Sequence, residues 1–373
     1  MIPVCTPLLG AREKKYLLDC LSTNWISSSG RYIQEFEKTF SHYCGTRYGI
    51  TTTNGTTALH LALVALKIGP GDQVIMPSFT IASTAFAAIY CGAEPVFVDS
   101  KPDTWNMDVD QIEEKITNKT KVIMPVHIYG HPCDMGKIMK IADKRHLYVV
   151  EDAAEAHGAE FQGRKVGGIG HMGCFSFFGN KIITCGEGGM VTTNDRTLAD
   201  RCRRLKNLAF LESKRFWHYE VGFNYRMTNI QAALGLAQCE QIEQLIEKRR
   251  CNAAIYNTLL STVPGLTLPI EKPDVRNVYW MYGLLVGKEF GMIRSQLMRR
   301  LRDKGIETRT FFIPMHRQPV FKKMGFGDDG HYPVADNIAG RGLYLPSGSG
   351  LKKIQIEYIC DCIRKIQRNR YRP

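Results

Sequence analysis

One lysine follows an apolar segment and precedes a glycine-rich turn, and this stretch has the residue types needed for covalent chemistry. Cys174-Phe-Ser-Phe-Phe-Gly-Asn-Lys181 is predicted to deliver the lysine from a buried strand, and Gly186-Glu-Gly-Gly189 follows it. A lysine in the interior must pair with a charge or lose its proton, and a neutral amine can form a Schiff base with a carbonyl. A surface lysine after an edge strand gives the same pattern, so the stretch alone leaves both interpretations open.

A second predicted strand ends in carboxylates. Leu147-Tyr-Val-Val-Glu-Asp152-Ala-Ala-Glu155 passes from apolar to acidic residues, and period-two alternation directs Asp152 and Ala154 to one side of the strand end. A carboxylate at the end of a parallel strand can hold a protonated ring nitrogen, which pyridoxal phosphate needs to act as an electron sink. Lys181 follows about one βαβ length later. Together the two segments favour a catalytic lysine in a pyridoxal phosphate enzyme.

A third segment has the features of an anion site. Tyr48-Gly-Ile-Thr-Thr-Thr passes from a predicted strand into Asn54-Gly55-Thr56-Thr57, where an apolar helix begins. Free backbone amides at the start of a helix can bind phosphate. An ordinary N-cap by Asn54 or Thr56 explains the same residues, so the segment alone does not decide between the two.

Predicted strands and helices alternate through the first part of the chain, which is typical of an α/β fold with a parallel sheet covered by helices. These strands are predicted near residues 74–76, 95–98, 122–126 and 148–150. One long helical pattern then runs from about residue 229 to 260. Beyond it we predict a smaller α+β domain with strands near 278–286 and 307–312 and helices near 292–304 and 355–367. We therefore expect a large domain over residues 1–240 and a small domain over residues 241–373.

The net charge of +13 is not concentrated in one basic segment. Arg201-Cys-Arg-Arg, Arg299-Arg-Leu-Arg and the tail 364–372 have apolar neighbours at helical spacing and predict solvated helix faces, not a nucleic-acid surface. No apolar segment approaches the roughly 20 residues of a membrane span, and the first residues lack the charged start of a signal peptide. We expect a cytoplasmic enzyme with neither a membrane nor a nucleic-acid partner.

Spacing also disfavours a zinc site and a dinucleotide site. The twelve cysteines are scattered, often within apolar segments, which predicts reduced buried thiols and no metal ligands. Gly168-Ile-Gly-His-Met-Gly173 matches the dinucleotide-binding glycine pattern, but it precedes a predicted strand, whereas that pattern has to open a helix. We interpret it as a turn.

Several long motifs resemble those of one enzyme family. They are Trp25-Ile-Ser-Ser, His127-Ile-Tyr-Gly-His-Pro-Cys-Asp134, Asp152-Ala-Ala-Glu-Ala-His-Gly158, Phe177-Phe-Gly-Asn-Lys181 and Gly222-Phe-Asn-Tyr-Arg-Met-Thr-Asn229. In order and length they resemble the sugar-nucleotide aminotransferases of the DegT/DnrJ/EryC1/StrS family over nearly the whole chain. The resemblance implies a fold-type I aminotransferase with a mostly parallel central sheet, a smaller C-terminal α+β domain, and pyridoxal 5′-phosphate as cofactor.

The resemblance also assigns roles around that cofactor. Lys181 is expected to form the Schiff base and then to move a proton between cofactor and sugar carbon. Asp152 is expected to keep the ring nitrogen protonated, and Glu155 to lie near the ring hydroxyl, where many relatives carry glutamine. The phosphate is expected to be bound by Ser176, by the amides of Gly55, Thr56 and Thr57, and by Asn224 of the neighbouring subunit. That last contact implies a homodimer with shared active sites, although an ordinary loop asparagine is the alternative.

Substrate contacts follow less directly from the motifs. A sugar diphosphate needs cationic and aromatic groups, and the candidates are Trp25, Ser27, Tyr225, Arg226, Arg309 and His316. Each of these is equally compatible with packing or with a solvated surface position. The chain departs from its relatives at Ile81, where an aromatic usually stacks on the ring; Phe79 or a shift of the backbone are the alternatives that would compensate. It also departs at Lys206-Asn-Leu, which replaces a glycine-rich segment.

The resemblance implies transamination of a nucleotide-linked 4-keto-6-deoxy hexose with L-glutamate as amino donor. We favour GDP-4-keto-6-deoxy-D-mannose, giving GDP-perosamine for surface polysaccharide; a UDP- or dTDP-linked keto sugar is the alternative. A related sugar 3-dehydratase carries histidine where this chain has Lys181, which argues against it. A regulatory binding protein with a vestigial site is disfavoured because both Lys181 and Asp152 are present.

Overall fold

A seven-stranded sheet forms the centre of the structure, a computed structural model that describes residues 1–211, 213–327 and 330–368. The strands of the chain are β1 Tyr48–Thr52, β2 Gln73–Pro77, β3 Glu94–Val98, β4 Thr120–Ile123, β5 Tyr148–Asp152, β6 Glu160–Phe161, β7 Arg164–Lys165, β8 Met172–Ser176, β9 Gly189–Thr193, β10 Leu266–Thr267, β11 Val275–Arg276, β12 Tyr282–Val286, β13 Arg309–Thr310 and β14 Gly342–Leu345. The central sheet has the order β1-β9-β8-β5-β4-β2-β3.

Six of the seven central strands run in the same direction, and β9 runs against its neighbours β1 and β8. The carboxyl ends of β1, β5 and β8 therefore meet at one edge of the sheet. Register confirms this, because Asp152 pairs with Cys174 and both Thr52 and Ser176 pair with Gly189. The predicted mostly parallel sheet is confirmed, and its carboxyl edge brings together the segments that carry Asp152 and the turn to Lys181.

The helices are α1 Ala11–Ser22, α2 Arg31–Tyr43, α3 Gly55–Ala65, α4 Ala82–Tyr90, α5 Ile112–Lys115, α6 Met135–Arg145, α7 Arg196–Lys206, α8 Asn229–Cys239, α9 Ile242–Leu260, α10 Arg294–Asp303, α11 Pro319–Lys323, α12 Pro333–Arg341 and α13 Lys353–Arg368. Short 3₁₀ turns occupy Val109–Gln111, Ile128–Gly130, Lys288–Phe290 and Met315–Arg317. Helix α3 buries residues around most of its circumference, as expected for an apolar helix inside the core. In α2, Phe36 and Phe40 lie one helical turn apart and are fully buried, so this helix packs one apolar face into the core.

The helical pattern from residue 229 to 260 forms two helices, not the single long one that we predicted. Helix α8 ends at Cys239, and α9 begins at Ile242 after the non-helical backbone of Gln241. At this break the side chains of Gln238 and Gln241 both donate to Glu13 of α1. Hydrophobic periodicity continued across the break, which is why the sequence did not reveal it.

A second, four-stranded antiparallel sheet with order β10-β12-β14-β13 lies in the C-terminal part of the chain. Its strands are shorter than predicted: β12 covers residues 282–286 of the predicted 278–286, and β13 covers 309–310 of the predicted 307–312. A separate hydrophobic cluster formed by α9, α10, α13, β12 and β14 packs against this sheet. The small sheet β11-β6-β7 joins residues 160–165 to residues 275–276. The division of the chain near residue 240 stays a prediction.

The glycine pattern at residues 168–173 is a turn that leads into β8, as interpreted from the sequence. The backbone amides of Gly167, Ile169 and Gly170 donate to the carboxylate of Glu151 at 2.7–2.8 Å. His127 donates to the same carboxylate through Nε2, since its Nδ1 accepts the amide of Cys133. The turn therefore binds a side chain of the protein itself and fixes the end of β5.

Other expectations concern cysteines, membranes and metals. Each of the twelve cysteines is a free thiol. Across residues 1–211, 213–327 and 330–368, none of the helices has the length and apolar character needed to cross a bilayer. The same ranges contain no group of three or more His, Cys, Asp or Glu side chains arranged to hold a metal ion. Residues 369–372 of the predicted basic tail lie outside the described part of the chain.

Candidate active site

Lys181 ends the turn that follows β8. Its amide donates to the carbonyl of Phe178 at 2.9 Å, so the chain folds back towards the sheet edge. The amine Nζ lies 3.9 Å from the centre of the Trp280 ring. The lysine therefore points into the protein and is not the solvated edge-strand lysine that the sequence left open.

Asp152 and Glu155 lie at the end of β5, and both are almost fully buried. One oxygen of Asp152 accepts the hydroxyl of Thr84 at 2.8 Å, and the other accepts the amide of Ala154 at 3.2 Å. Glu155 accepts the amide of Tyr129 at 2.8 Å. Tyr129 has a left-handed backbone (φ 52°), an uncommon conformation for a residue with a side chain, and it directs this N–H towards the carboxylate.

Burial and mutual charge shift the titration of these groups. Burial lowers the pKa of Lys181, and the carboxylates of Glu155 and Asp152 oppose that shift. Burial raises the pKa of Asp152 above its usual range and raises the pKa of Glu155 to about 7. The three groups therefore interact electrostatically, and the site holds an amine that releases its proton more readily than a surface lysine.

The start of α3 and the end of β8 approach closely enough to form an anion cradle. A Cβ added at Gly55 would lie 2.7 Å from the Cβ of Ser176, so only glycine fits there. In the described part of the chain the amides of Gly55 and Thr56 have no hydrogen-bond partner, as the first amides of a helix require. The amide of Thr57 differs, because it donates to the Asn54 side chain at 2.9 Å in an N-cap. The N-cap interpretation is therefore confirmed, and the phosphate role of Gly55, Thr56, Thr57 and Ser176 stays a prediction.

The turn that carries Lys181 is held by groups distant in sequence. The carbonyl of Asn180 accepts the indole N–H of Trp280 at 2.9 Å. Arg249, which is buried on α9, donates to the carbonyls of Trp280 and Lys181 and to the hydroxyl of Ser349. One guanidinium therefore connects the catalytic turn to the C-terminal part of the chain.

Asn224, Tyr225 and Arg226 lie on the segment between α7 and α8 and are not part of the cluster around Lys181. Asn224 is exposed, and its side-chain oxygen accepts Arg226 Nε at 2.9 Å. The hydroxyl of Tyr225 lies 3.0 Å from Nδ1 of His60 on α3, so this residue packs against the helix whose first turn forms the cradle. The exposure of Asn224 is compatible with the predicted contact to a second subunit.

The remaining predicted substrate contacts are spread over the surface. Trp25 and Ser27 are exposed in the loop before α2, where their carbonyls accept groups of Asn229. Arg309 is exposed and paired with Glu307. Arg226 lines a cleft of about 800 Å³ that Lys181 does not line; its other cationic residues are Lys38, Arg47, Arg203, Lys206 and Arg215.

His316 is held by two contacts within its own chain, and its predicted contact with a substrate stays a prediction. Its Nδ1 lies 2.7 Å from the hydroxyl of Ser78, and its Nε2 lies 3.1 Å from a carboxylate oxygen of Asp336. The ring is buried and stacks on Tyr332. Both ring nitrogens are thus used to hold the turn after β2 against the 3₁₀ turn 315–317.

The two departures from the family pattern have separate structural outcomes. Phe79 is fully buried beside Tyr129 and Phe311, whereas Ile81 is exposed at the N-cap of α4, and a stacking role for Phe79 stays a prediction. After Lys206, the residues Leu208 and Ala209 have left-handed backbones (φ 59° and 53°). The chain therefore keeps a glycine-type turn there without glycine.

Sequence reasoning missed the residues that support the cluster. Trp280, Thr84, Arg249 and the backbone of Tyr129 come from four separate segments, and each contacts a predicted residue. The only signals were a threonine on an otherwise apolar helix and a tryptophan within an apolar segment, and neither signal is specific. Their roles depend on tertiary contacts.

The fold and the site together define a class of enzyme. A lysine facing two buried carboxylates, beside a helix N-terminus at the carboxyl edge of a mostly parallel sheet, is suited to hold a phosphorylated carbonyl cofactor covalently. The carboxylate, amine and cradle fit the ring nitrogen, aldehyde and phosphate of pyridoxal 5′-phosphate.

Comparison with known proteins identifies the family. Residues 7–364 match the model of the DegT/DnrJ/EryC1/StrS aminotransferase family, and the chain belongs to this family. It is 46% identical over 364 residues to the GDP-perosamine synthase of Escherichia coli O157:H7 and 45% identical over 369 residues to that of Caulobacter vibrioides, in each case with 98% of both chains covered. Among solved structures, Spr1654 of Streptococcus pneumoniae in its PLP-form superposes with a TM-score of 0.93 at 26% identity, covering 99% of each chain. The expected family, fold class and pyridoxal phosphate cofactor are confirmed.

The pKa of Glu155, near 7, gives a direct prediction. In cofactor-free protein the carboxyl should be protonated below about pH 7 and ionised above it, because the buried site disfavours the charge. The infrared carbonyl stretch of a protonated carboxylic acid should therefore disappear with a midpoint near pH 7 and be absent in Glu155→Gln. Glu113→Gln is the matched control, because Glu113 is exposed beside Lys144 with a lowered pKa. A Glu155 signal that titrates in the range of an exposed glutamate would contradict the prediction.

Proposed function

We propose that this protein transfers the amino group of L-glutamate to C4 of GDP-4-keto-6-deoxy-D-mannose and so forms GDP-perosamine for a surface polysaccharide such as an O-antigen. The structural observation that carries the enzymatic part is the half-buried Lys181, whose amine interacts electrostatically with the buried carboxylates of Asp152 and Glu155. The choice of sugar is supported by the full-length similarity to two GDP-perosamine synthases. The proposed reaction type is therefore supported by the site around Lys181, and the proposed substrate is supported by the similar GDP-perosamine synthases.

Pyridoxal phosphate, when bound, supplies the carbonyl carbon to which amines attach and the ring that accepts an electron pair. Asp152 is placed to hold the ring nitrogen in its protonated form, since a buried carboxylate strongly favours a cationic partner. Thr84 fixes the orientation of Asp152 through its 2.8 Å hydrogen bond. The phosphate would be bound by the first turn of α3, with Gly55, Thr56 and Thr57, and by Ser176.

Lys181 has two functions in this proposal. Its amine links the cofactor to the protein, and once an amino substrate has displaced it, the same amine moves the proton at the reacting carbon. The lowered pKa suits both, because a neutral amine is the nucleophile and the base. Glu155 would lie near the ring hydroxyl, and as a protonated acid it could donate a hydrogen bond there, as the glutamine of many relatives would.

We further propose that the enzyme is a homodimer with shared active sites. The exposed Asn224 is unused by its own chain's site and would contact the phosphate bound by the second subunit. The exposed Trp25, Ser27 and Arg309 and the half-buried Arg226 are then the groups available to the nucleotide sugar. Tyr225 holds the segment in place through His60.

The proposed reaction is tested by the visible spectrum of the purified protein. The absorption band of bound pyridoxal phosphate should be bleached by L-glutamate and restored by GDP-4-keto-6-deoxy-D-mannose, because each half-reaction consumes what the other forms. Lys181→Ala should lack the band of the lysine-linked cofactor, while Lys119→Ala, which changes an exposed lysine before β4, should keep the whole cycle. Restoration by a UDP- or dTDP-linked 4-keto sugar in its place would support the alternative substrate. A band that glutamate does not change would contradict transamination.

The shared site predicts complementation between two inactive variants. Lys181→Ala removes the amine, and Asn224→Asp places a carboxylate against the phosphate, so each homodimer should be inactive. Random mixing gives half heterodimers with one intact site of two, so activity should return to about one quarter of wild type. The control mixes Lys181→Ala with the double variant Lys181→Ala/Asn224→Asp, in which no dimer has an intact site. No recovery after verified subunit exchange would show that both residues act within one chain.

A further inference from the structure

Trp280 contacts the catalytic turn in three ways. Its ring face lies 3.9 Å from Lys181 Nζ, its indole N–H donates to the carbonyl of Asn180 at 2.9 Å, and its own carbonyl accepts Arg249. The side chain is only 4% exposed, so the contact with the amine is shielded from water. A single residue therefore fixes both the backbone before Lys181 and the position of its amine.

We infer that Trp280 is a positioning residue for Lys181: its indole face holds the ammonium form of the lysine whenever the amine is not bonded to the cofactor. This inference rests on the role of Lys181 in the proposed function. In transamination the lysine must be released and must then act repeatedly as a proton carrier from one defined place. A cation held over an aromatic ring keeps a preferred position without a covalent bond.

Charged groups also surround the Lys181 amine, and their effects have to be compared with that of the Trp280 ring. From β5 the carboxylates of Asp152 and Glu155 attract the ammonium, and from α9 Arg249 repels it. His157, the other titratable group that senses Lys181, is buried with its pKa lowered to about 3, so it carries no charge at neutral pH. In the loaded enzyme Asp152 and Glu155 would be engaged by the ring nitrogen and the ring hydroxyl of the cofactor. The indole face of Trp280 would then be the group that still attracts the ammonium of the released lysine.

Simple packing is the competing explanation, and fluorination separates the two. Adding fluorine to the indole withdraws electron density from the ring face but leaves its shape nearly unchanged. If Trp280 only packs against Lys181, the pKa of the lysine will not change with fluorination. If the contact is a cation–π interaction, it weakens with each fluorine added to the ring. The readout is the pKa of Lys181 itself, since only the neutral amine reacts with an acylating reagent.

The experiment places mono-, di-, tri- and tetrafluorotryptophan at residue 280 of the full chain. Acylation of Lys181 in cofactor-free protein is followed against pH by peptide mass spectrometry. Loss of the ring attraction should lower the midpoint progressively, by about one pH unit at the tetrafluoro residue, so that labelling below the midpoint becomes about tenfold faster. Trp280→Leu, which keeps apolar bulk without a ring, should shift the midpoint in the same direction.

The chain contains a matched control pair. Lys214 Nζ also lies 3.9 Å from the ring centre of Trp217, but Trp217 is 47% exposed. Fluorination of Trp217 should leave the Lys181 midpoint unchanged and shift that of Lys214 far less, because water screens the contact.

A Lys181 midpoint that stays constant across the Trp280 series would overturn the inference and leave Trp280 as a packing residue. The fluorinated series keeps this result decisive if Trp280→Leu fails to fold. Failure of the proposed function is a different outcome. If the proposed function is wrong, Lys181→Ala will keep the absorption band of the bound cofactor. The acylation experiment contains no cofactor and reports only on the Lys181 amine.

Discussion

The structure depends on one electrostatic constraint, which is that the amine of Lys181 is placed among buried groups. A buried cation is costly unless it is paired, and Asp152 and Glu155 supply the opposing charge. The carboxylates in turn need hydrogen-bond donors, which Thr84 and the amide of Tyr129 provide. Incomplete compensation leaves the pKa of Lys181 lowered and that of Glu155 raised. The lowered pKa means that more of the Lys181 amine is neutral, and the neutral amine is the reactive form.

Topology is what brings these charges together. Strands β5 and β8 are parallel neighbours, so the end that carries Asp152 and the turn that carries Lys181 share one edge of the sheet. The close approach of Gly55 to Ser176 places a helix N-terminus at that same edge. Binding at the carboxyl ends of parallel strands is a general property of open α/β sheets. Arg249 and Trp280 then fix the turn from the C-terminal part of the chain, so both parts of the molecule contribute to one site.

The residues that do chemistry could be predicted from sequence because their types are unusual in their context. Lys181 after an apolar strand, Asp152 at a strand end and Gly55 at a helix start each violate a local expectation for a structural residue. Trp280 and Arg249 do not, since a tryptophan in an apolar segment and an arginine on a helix are ordinary. The environment of His316 could not be predicted for the same reason, because only the fold reveals Ser78 and Asp336 beside it. Likewise the break between α8 and α9 depends on Glu13, more than 200 residues away in sequence.

The central claim is that Lys181 is the residue that bonds to the cofactor, and chemical trapping tests it most directly. Borohydride reduction of the pyridoxal phosphate-loaded protein makes the carbon–nitrogen bond permanent, and proteolysis with mass spectrometry then locates the modified lysine. The account predicts that the cofactor mass is found on the peptide containing Phe177-Phe-Gly-Asn-Lys181 and that added L-glutamate prevents the modification. Modification of a different lysine, or none at all in protein that binds the cofactor, would contradict it.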